Sequence, residues 1–352
     1  MSNYNYPKGS EWRKWDLHVH TPSSIIQNYG GDNEAIWESF INDIESLPSE
    51  FKVLGINDYI FLDGYRKVLE YKASGRLSNI DLIIPVIEFR IPKFAGSNSS
   101  FRKINFHVIF SNEISPDIIQ QQFLNGLTSN YKLTPGHSGI GWNGIITRGS
   151  IRDLGTKIKA SVSPERLTQY GSDFEEGFNN LAISEDDIYS LLNNSSYFKD
   201  GKTTKYLTAV GKAEWESMSW NEGSIAEKKD IINKVDFVFI SSADVEQFYK
   251  AKKKLTEQRV NDLLLDCSDA HCFSNSPDKD RIGKCFTWVK ADPVFEGLKQ
   301  VIYEPQERLY IGEDQPNKSL SHNNIQFIKV SNSNNWFPDI NYQFNEGLVS
   351  II

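Results

Sequence analysis

Two histidines two residues apart, His18 and His20, close the run Asp16-Leu17-His18-Val19-His20-Thr21. On a β-strand, residues at that spacing share one face. Two imidazoles on one face are half of a divalent-metal site, because neutral imidazole is the commonest protein ligand for such ions. The pattern alone is weak, so its meaning depends on partners further along the chain. Candidates recur there. Asp58 follows the apolar run Val53-Leu54-Gly55-Ile56, and Glu88 follows Leu82-Ile83-Ile84-Pro85-Val86-Ile87. His107 lies between Phe106 and Val108, where taken alone it reads first as a core histidine bonded to backbone and second as a ligand. Asp269 and His271 follow Leu263-Leu264-Leu265-Asp266-Cys267. Four of the six histidines thus fall in a set with three carboxylates. Mixed imidazole and carboxylate ligands suit Zn²⁺, Mn²⁺ or Fe²⁺.

Such residues need elements that bring them together. After His20, Asp32-Asn33 offers an N-cap for a helix with apolar Ile36, Phe40, Ile41, Ile44 and Leu47 at helical spacing, ended by Pro48. The strand 53–56, a second helix over about 64–71 and the strand 82–87 give a β-α-β-α-β rhythm. A further strand spans Ile104 to Phe110. From about 112 to 205 the composition shifts to Gly, Ser, Asn and scattered charge, which reads as an insertion, helical near Glu185 to Leu192, over one end of a scaffold. Its run Pro135-Gly136-His137-Ser138-Gly139-Ile140-Gly141 lacks a phosphate-loop signature and reads as loop. Strands return at Tyr206–Val210, Val235–Ile240 and Leu263–Cys267. Lys250 to Lys254 read as the solvated face of a helix, and Asp292-Pro293 as the start of a last helix with Val294, Leu298, Val301 and Ile302 along one side. The fold class is α/β. In an α/β barrel the carboxyl ends of the strands form the active face, so ligands scattered in sequence converge there.

Composition sets the bounds. The 352 residues, 39% hydrophobic and 12% aromatic, supply a large core. A formal net charge of −8 argues against broad phosphate-neutralising contact with nucleic acid, while leaving room for a local site that receives a phosphodiester. Cys267, Cys272 and Cys285 make no CxxC pair and no even framework, as expected of free thiols in a reducing compartment. With no signal-peptide pattern and no apolar run of 18 residues, a soluble cytoplasmic protein is expected.

These motifs resemble those of the PHP (polymerase and histidinol phosphatase) superfamily. Asp16-Leu17-His18-Val19-His20-Thr21 is similar to its first motif, Ile56-Asn57-Asp58-Tyr59 to its second, Val86-Ile87-Glu88 with His107 to its third, and Ser268-Asp269-Ala270-His271 to its fourth. The resemblance spans about residues 11 to 312, the insertion excepted. It implies a distorted (β/α)7 TIM-like barrel that binds metal and hydrolyses phosphate esters. By the same resemblance His18, His20, Glu88 and Asp269 hold a first ion, Glu88 bridges, and His107 binds a second. Tyr59 stands where the second motif usually ends in a metal-binding histidine, which implies one or two ions rather than three. Glu214 is the candidate further ligand of the second ion. Asp58 and His271 are the candidates to orient the nucleophile or assist the leaving group.

Gly9-Ser10-Glu11-Trp12-Arg13-Lys14-Trp15-Asp16, Gly211-Lys212-Ala213-Glu214-Trp215 and Thr287-Trp288-Val289-Lys290-Ala291-Asp292-Pro293 further resemble bacterial PHP–ATPase fusion proteins, some linked to antiphage defence. That resemblance implies a barrel domain over 1–312 and, over 313–352, a linker and the start of an ATPase domain without its nucleotide-binding loop. Trp336-Phe337-Pro338-Asp339 to Gly347-Leu348-Val349-Ser350-Ile351-Ile352 then reads as a hairpin leading toward that loop. ATP would belong to the missing domain only, and oligomerisation to the full-length ATPase. The function expected is a metal-dependent phosphoesterase acting on a phosphate ester, nucleotide or nucleic acid. The alternative is a catalytically degenerate domain that regulates or assembles the ATPase, which Tyr59 favours and the first-ion ligand set disfavours.

Overall fold

The computed structural model describes residues 11–95, 102–127, 146–181, 183–211, 225–316, 327–330 and 340–343. Strand β1 (Trp12–Val19) leads through the helix Glu34–Glu45 to β2 (Phe51–Tyr59), then through the helix Asp63–Ala73 to β3 (Leu82–Ala95) and β4 (Arg102–Phe110). After the insertion's helices come two short strands, β5 (Lys199–Asp200) and β6 (Thr203–Thr204), and then β7 (Tyr206–Gly211). The helix Ile225–Lys234, β8 (Phe237–Ile240), the helix Val245–Gln258 and β9 (Leu264–Asp266) follow. The last elements around the sheet are β10 (Thr287–Lys290), the helix Phe295–Tyr303 and β11 (Leu309–Ile311).

Nine strands form one mixed sheet in the order β11-β10-β1-β2-β3-β4-β7-β8-β9. β1, β2 and β3 run parallel, as do β7, β8 and β9, while β4 is antiparallel to both its neighbours. The sheet curls until the chain beyond β9 meets β1. There Val19 and Ala270 form a parallel bridge, the Ala270 N–H donates to the His18 carbonyl at 3.1 Å, and the His20 N–H donates to the Ala270 carbonyl at 3.0 Å. Asp16 adds a side-chain stitch, accepting from the Ser268 N–H at 3.0 Å. The result is a nearly closed, distorted TIM-like barrel with helices around it.

Period-2 alternation divides the core into two layers. Trp15, Leu17, Val53, Leu82, Ile84, Val86, Ile109, Ala209, Phe237, Phe239 and Leu265 form one buried cluster, which also takes in Phe295, Leu298 and Val301 of the last helix. Residues of the opposite parity, among them Leu54, Ile56, Ile83, Ile87, Val108, Val210 and Val238, face outward into a second buried cluster, which also takes in Trp37, Phe40, Ile41 and Ile44 of the helix Glu34–Glu45. That helix starts at Asn33, whose side chain accepts the Ile36 N–H at 3.1 Å. A fully buried large side chain contributes roughly 1.5–3 kcal/mol, so this outer layer is what fixes the helices on the barrel.

Several local features depart from the sequence pattern. β4 returns antiparallel beside an extended β3, so Glu88 and His107 sit mid-strand and directly opposite each other instead of at successive carboxyl ends. An antiparallel return needs no crossover helix. The last helix begins at Phe295 with Val294 as its N-cap, because the Asp292 carbonyl takes the Val294 N–H at 2.8 Å and holds residues 292–294 in a turn. The insertion is more regular than its composition suggests. It carries the helices Arg148–Ala160, Asp173–Asn180 and Glu185–Asn194, and its Ile151, Leu154, Phe178, Ile188, Leu192 and Phe198 join the outer core. Further on, Phe327–Val330 pairs antiparallel with Ile340–Gln343. The glycine-rich run 135–141 and the tail segments 336–339 and 347–352 lie outside the described residues, as does Glu214. Among the described residues no helix is long and apolar enough to cross a membrane.

Candidate metal centre

The site begins with an irregularity in β1. Asp16 pairs with Leu54 and Val19 with Ile56, so three steps along β1 match two along β2. One extra residue of this kind is a β-bulge, which re-aims the side chains beyond it. Trp15 and Leu17 therefore belong to the inner core cluster, yet Val19 belongs to the outer one, and His18 and His20 turn inward. The bulge rests on Gly55: a Cβ there would lie 2.6 Å from the Leu17 carbonyl oxygen.

His18 Nε2 is the hub. It lies 3.1 Å from His20 Nε2, 3.1 Å from Glu88 Oε2 and 3.0 Å from Asp269 Oδ1. His20 Nε2 is 3.5 Å from Glu88 Oε2 and 3.7 Å from Asp269 Oδ1. His107 Nδ1 is 3.8 Å from Glu88 Oε2. Two overlapping groups result, His18-Glu88-His107 and His18-His20-Asp269, each with its donor atoms within 4.8 Å of one another. For a tetrahedral ion with bonds of about 2.0–2.1 Å, neighbouring donors stand about 3.3 Å apart. The distances around His18 fit that edge length, so the residues present fit a divalent ion. The Asp269 side chain is 40% exposed whereas His20 and Glu88 are fully buried, so the centre opens to solvent past Asp269.

Supporting contacts hold these rings. His20 Nδ1 is bonded to Ser24 Oγ at 3.1 Å, and its ring stacks on Tyr59 with centroids 4.6 Å apart. Such partners fix the tautomer and aim of a ligating histidine. Burial alone would lower the pKa of His18, but the carboxylates of Asp269 and Glu88 outweigh it and raise it to about 10. Burial would raise Glu88, yet the surrounding imidazoles reverse the sign and hold it below the usual carboxylate range. Burial lowers His107 to about 3, so its ring is neutral at pH 7.

An ion entering this cluster must therefore displace the His18 proton at any pH between about 6.5 and 10. Zinc titrated into metal-free protein at pH 7.5 is expected to release about one proton or more per ion. Calorimetry in buffers of different ionisation enthalpy measures that number, and a count of zero would contradict the assignment of His18.

The other sequence candidates separate. Asp58 belongs to neither group: it accepts the Thr21 N–H at 2.8 Å and the Thr21 hydroxyl at 2.7 Å, tying down the residue after His20. His271 is at the rim. Burial, reinforced by the charge of His20, brings it down to about 4, so it is neutral at pH 7. Its Nδ1–H donates to the Asp269 carbonyl at 2.7 Å, and its Nε2 accepts the Tyr59 hydroxyl at 3.3 Å. Asp269 itself has φ +51°, a left-handed backbone uncommon outside glycine. Asn57, which is not among the sequence candidates, is a buried amide 3.2 Å from His107 Nδ1 and 3.4 Å from Glu88 Oε2. Its signal was strand parity, since Asn57 and Tyr59 share a face with Val53. Also absent from those candidates is the wall that the insertion supplies, where Phe178 lies 4.9 Å from Tyr59 and the Arg90 guanidinium lies over both rings.

No family model matches this chain, and no curated protein matches it. The nearly closed barrel and its two overlapping His/Asp/Glu groups are consistent with the PHP-type fold that the four sequence motifs imply.

Proposed function

We propose that this chain is a metal-dependent phosphoesterase module, acting on a phosphodiester or a nucleotide phosphate. The observation that carries the reading is the convergence of His18, His20, Glu88 and Asp269 at ligand-edge distances behind a solvent-facing carboxylate. When bound there, a divalent ion would supply a water of lowered pKa and charge stabilisation for an in-line phosphoryl transition state. His18, His20, Glu88 and Asp269 would hold a first ion, and Glu88 with His107 would serve a second. His271, neutral and next to the exposed ligand, is the candidate to hold or move a proton at Nε2 once the Tyr59 hydroxyl gives way. Asp58 keeps Thr21, and with it His20, in place. The motif resemblance supports placing this barrel beside an ATPase domain in a longer protein, with the division near residue 312.

The test is metal content and turnover together. Purified protein supplied with manganese is expected to hydrolyse a chromogenic phosphodiester, and His20→Ala to abolish that activity. Tyr59→Phe keeps the ring that stacks on His20 and loses only the hydroxyl's contacts to His271 and Arg90, so it is expected to cost no more than about tenfold. Full activity in His20→Ala, or loss in Tyr59→Phe at unchanged metal content, would contradict the assignment.

A further inference from the structure

The two ligand groups share His18, and that sharing raises a question of supply. His18 Nε2 has one lone pair and can bind one ion. Two first-position donors, His20 Nε2 at 3.1 Å and Asp269 Oδ1 at 3.0 Å, stand beside it, and Glu88 Oε2 at 3.1 Å adjoins both positions, so the larger share of its neighbours places it with the first ion. A second ion is then left with Glu88 and His107 alone, too few protein donors for a held cation. Among the described residues Glu88 Oε1 is nonetheless buried with no hydrogen-bond partner. A buried carboxylate oxygen without a partner costs several kcal/mol of lost solvation, a demand that a cation held by this carboxylate would meet.

Asn57 is the side chain that reaches both remaining donors. It is fully buried on β2, and among the described residues its side chain makes no hydrogen bond to a backbone group. Its Nδ2 lies 3.4 Å from Glu88 Oε2 and 3.2 Å from His107 Nδ1, and its Oδ1 lies 3.4 Å from that same Nδ1. Both ends of the amide thus crowd one nitrogen, which can use only one of them. Oxygen and nitrogen of an amide exchange places by a half-turn about the last torsion. After that turn the carbonyl oxygen stands 3.2 Å from His107 Nδ1 and 3.4 Å from Glu88 Oε2. Donors sharing one ion are separated by about 3.0–3.4 Å.

We infer that Asn57 supplies a carboxamide-oxygen ligand to a second divalent cation, shared with Glu88 and His107. The inference rests on the metal-dependent reading above and adds to it that the two positions differ in chemistry. The first is rich in imidazole nitrogen. The second has two oxygens and one nitrogen from the protein, a set that favours Mn²⁺ over Zn²⁺ relative to the first.

Manganese and zinc alone, titrated into metal-free protein, test this without any substrate. Calorimetry and the electron paramagnetic resonance of Mn²⁺ give the number of ions and the two affinities. Wild-type protein is expected to bind two Mn²⁺. Asn57→Leu, close in volume but without an oxygen donor, is expected to keep the first ion and to weaken the second by at least about tenfold. Asn57→Asp places an anionic oxygen at the same point and is expected to tighten the second Mn²⁺ by about tenfold or more. Far-UV circular dichroism and a thermal melt check that each variant folds, and if Asn57→Leu does not, Asn57→Asp decides. Two ions with a second affinity unmoved by either substitution would overturn the role of Asn57 and leave the metal centre standing. A single ion in the wild type would do the same. No ion in the wild type would overturn the phosphoesterase reading itself.

Discussion

His18→Ala is expected to empty the first metal position and to lower phosphodiester hydrolysis by at least about 10³-fold, equivalent to about 4 kcal/mol of lost transition-state stabilisation. Among the described residues, His18 is the member that both ligand groups share. The variant also leaves Glu88 and Asp269 without the cation that offsets their charge in metal-free protein. Removing one partner of a buried pair typically costs about 3–5 kcal/mol, so the metal-free variant is expected to melt below wild type at pH 7. The pH dependence separates this from a general packing defect. The folded-state pKa of His18 is raised to about 10, so its contribution is fully present below the unfolded value of about 6.5 and is lost as pH rises through 10. Metal-free wild type should therefore lose stability between pH 6.5 and 10 along a slope that His18→Ala lacks. Bound-metal analysis, initial rates and melts across that range check all three results. A variant that keeps its metal and its rate would remove His18 from the centre.

Gly55→Ala and Gly64→Ala are expected to be the most damaging substitutions that touch no ligand. A Cβ at Gly55 would sit 2.6 Å from the Leu17 carbonyl oxygen, in the bulge that aims His18 and His20. A Cβ at Gly64 would sit 2.0 Å from Asp58 Oδ2 and 2.1 Å from Thr21 Oγ1, inside the pair that anchors the residue after His20. Neither neighbour is the free end of a long side chain, so the strand or the loop must move. Overpacking of this kind costs about 1–3 kcal/mol, and more where backbone is displaced. A melting-point loss of at least about 5 °C is expected for each, with weaker metal binding because the histidine loop shifts. Gly149→Ala is the control. That glycine is helical, its added Cβ would meet only Thr147 Oγ1 at 3.6 Å, and alanine there is expected to be neutral or to stabilise by up to about 1 kcal/mol. Equal melting points for all three variants would show that the close approaches at Gly55 and Gly64 carry no constraint.

The sequence by itself determined the strand and helix rhythm and the residue types of the centre. Apolar runs of strand length, broken by capping residues, mark β1, β2, β3 and β9, and the polar residues that interrupt or end them, His18, His20, Glu88 and Asp269, are costly to bury without partners. That cost is local, so it is legible locally. What the pattern could not decide was facing and direction. Whether Asp58 or Asn57 points into the barrel depends on strand parity, and parity depends on register, which a one-residue bulge inverts. The bulge between Asp16 and Val19 arises from contact with Gly55 on the neighbouring strand, far outside any local window. The direction of β4, which sets His107 opposite Glu88, likewise follows from β3 continuing to Ala95 and pairing antiparallel with β4. Tertiary structure alone therefore turned Asp58 to the Thr21 loop and Asn57 to the ligands, because side chains two strands apart meet only after the sheet has chosen its register.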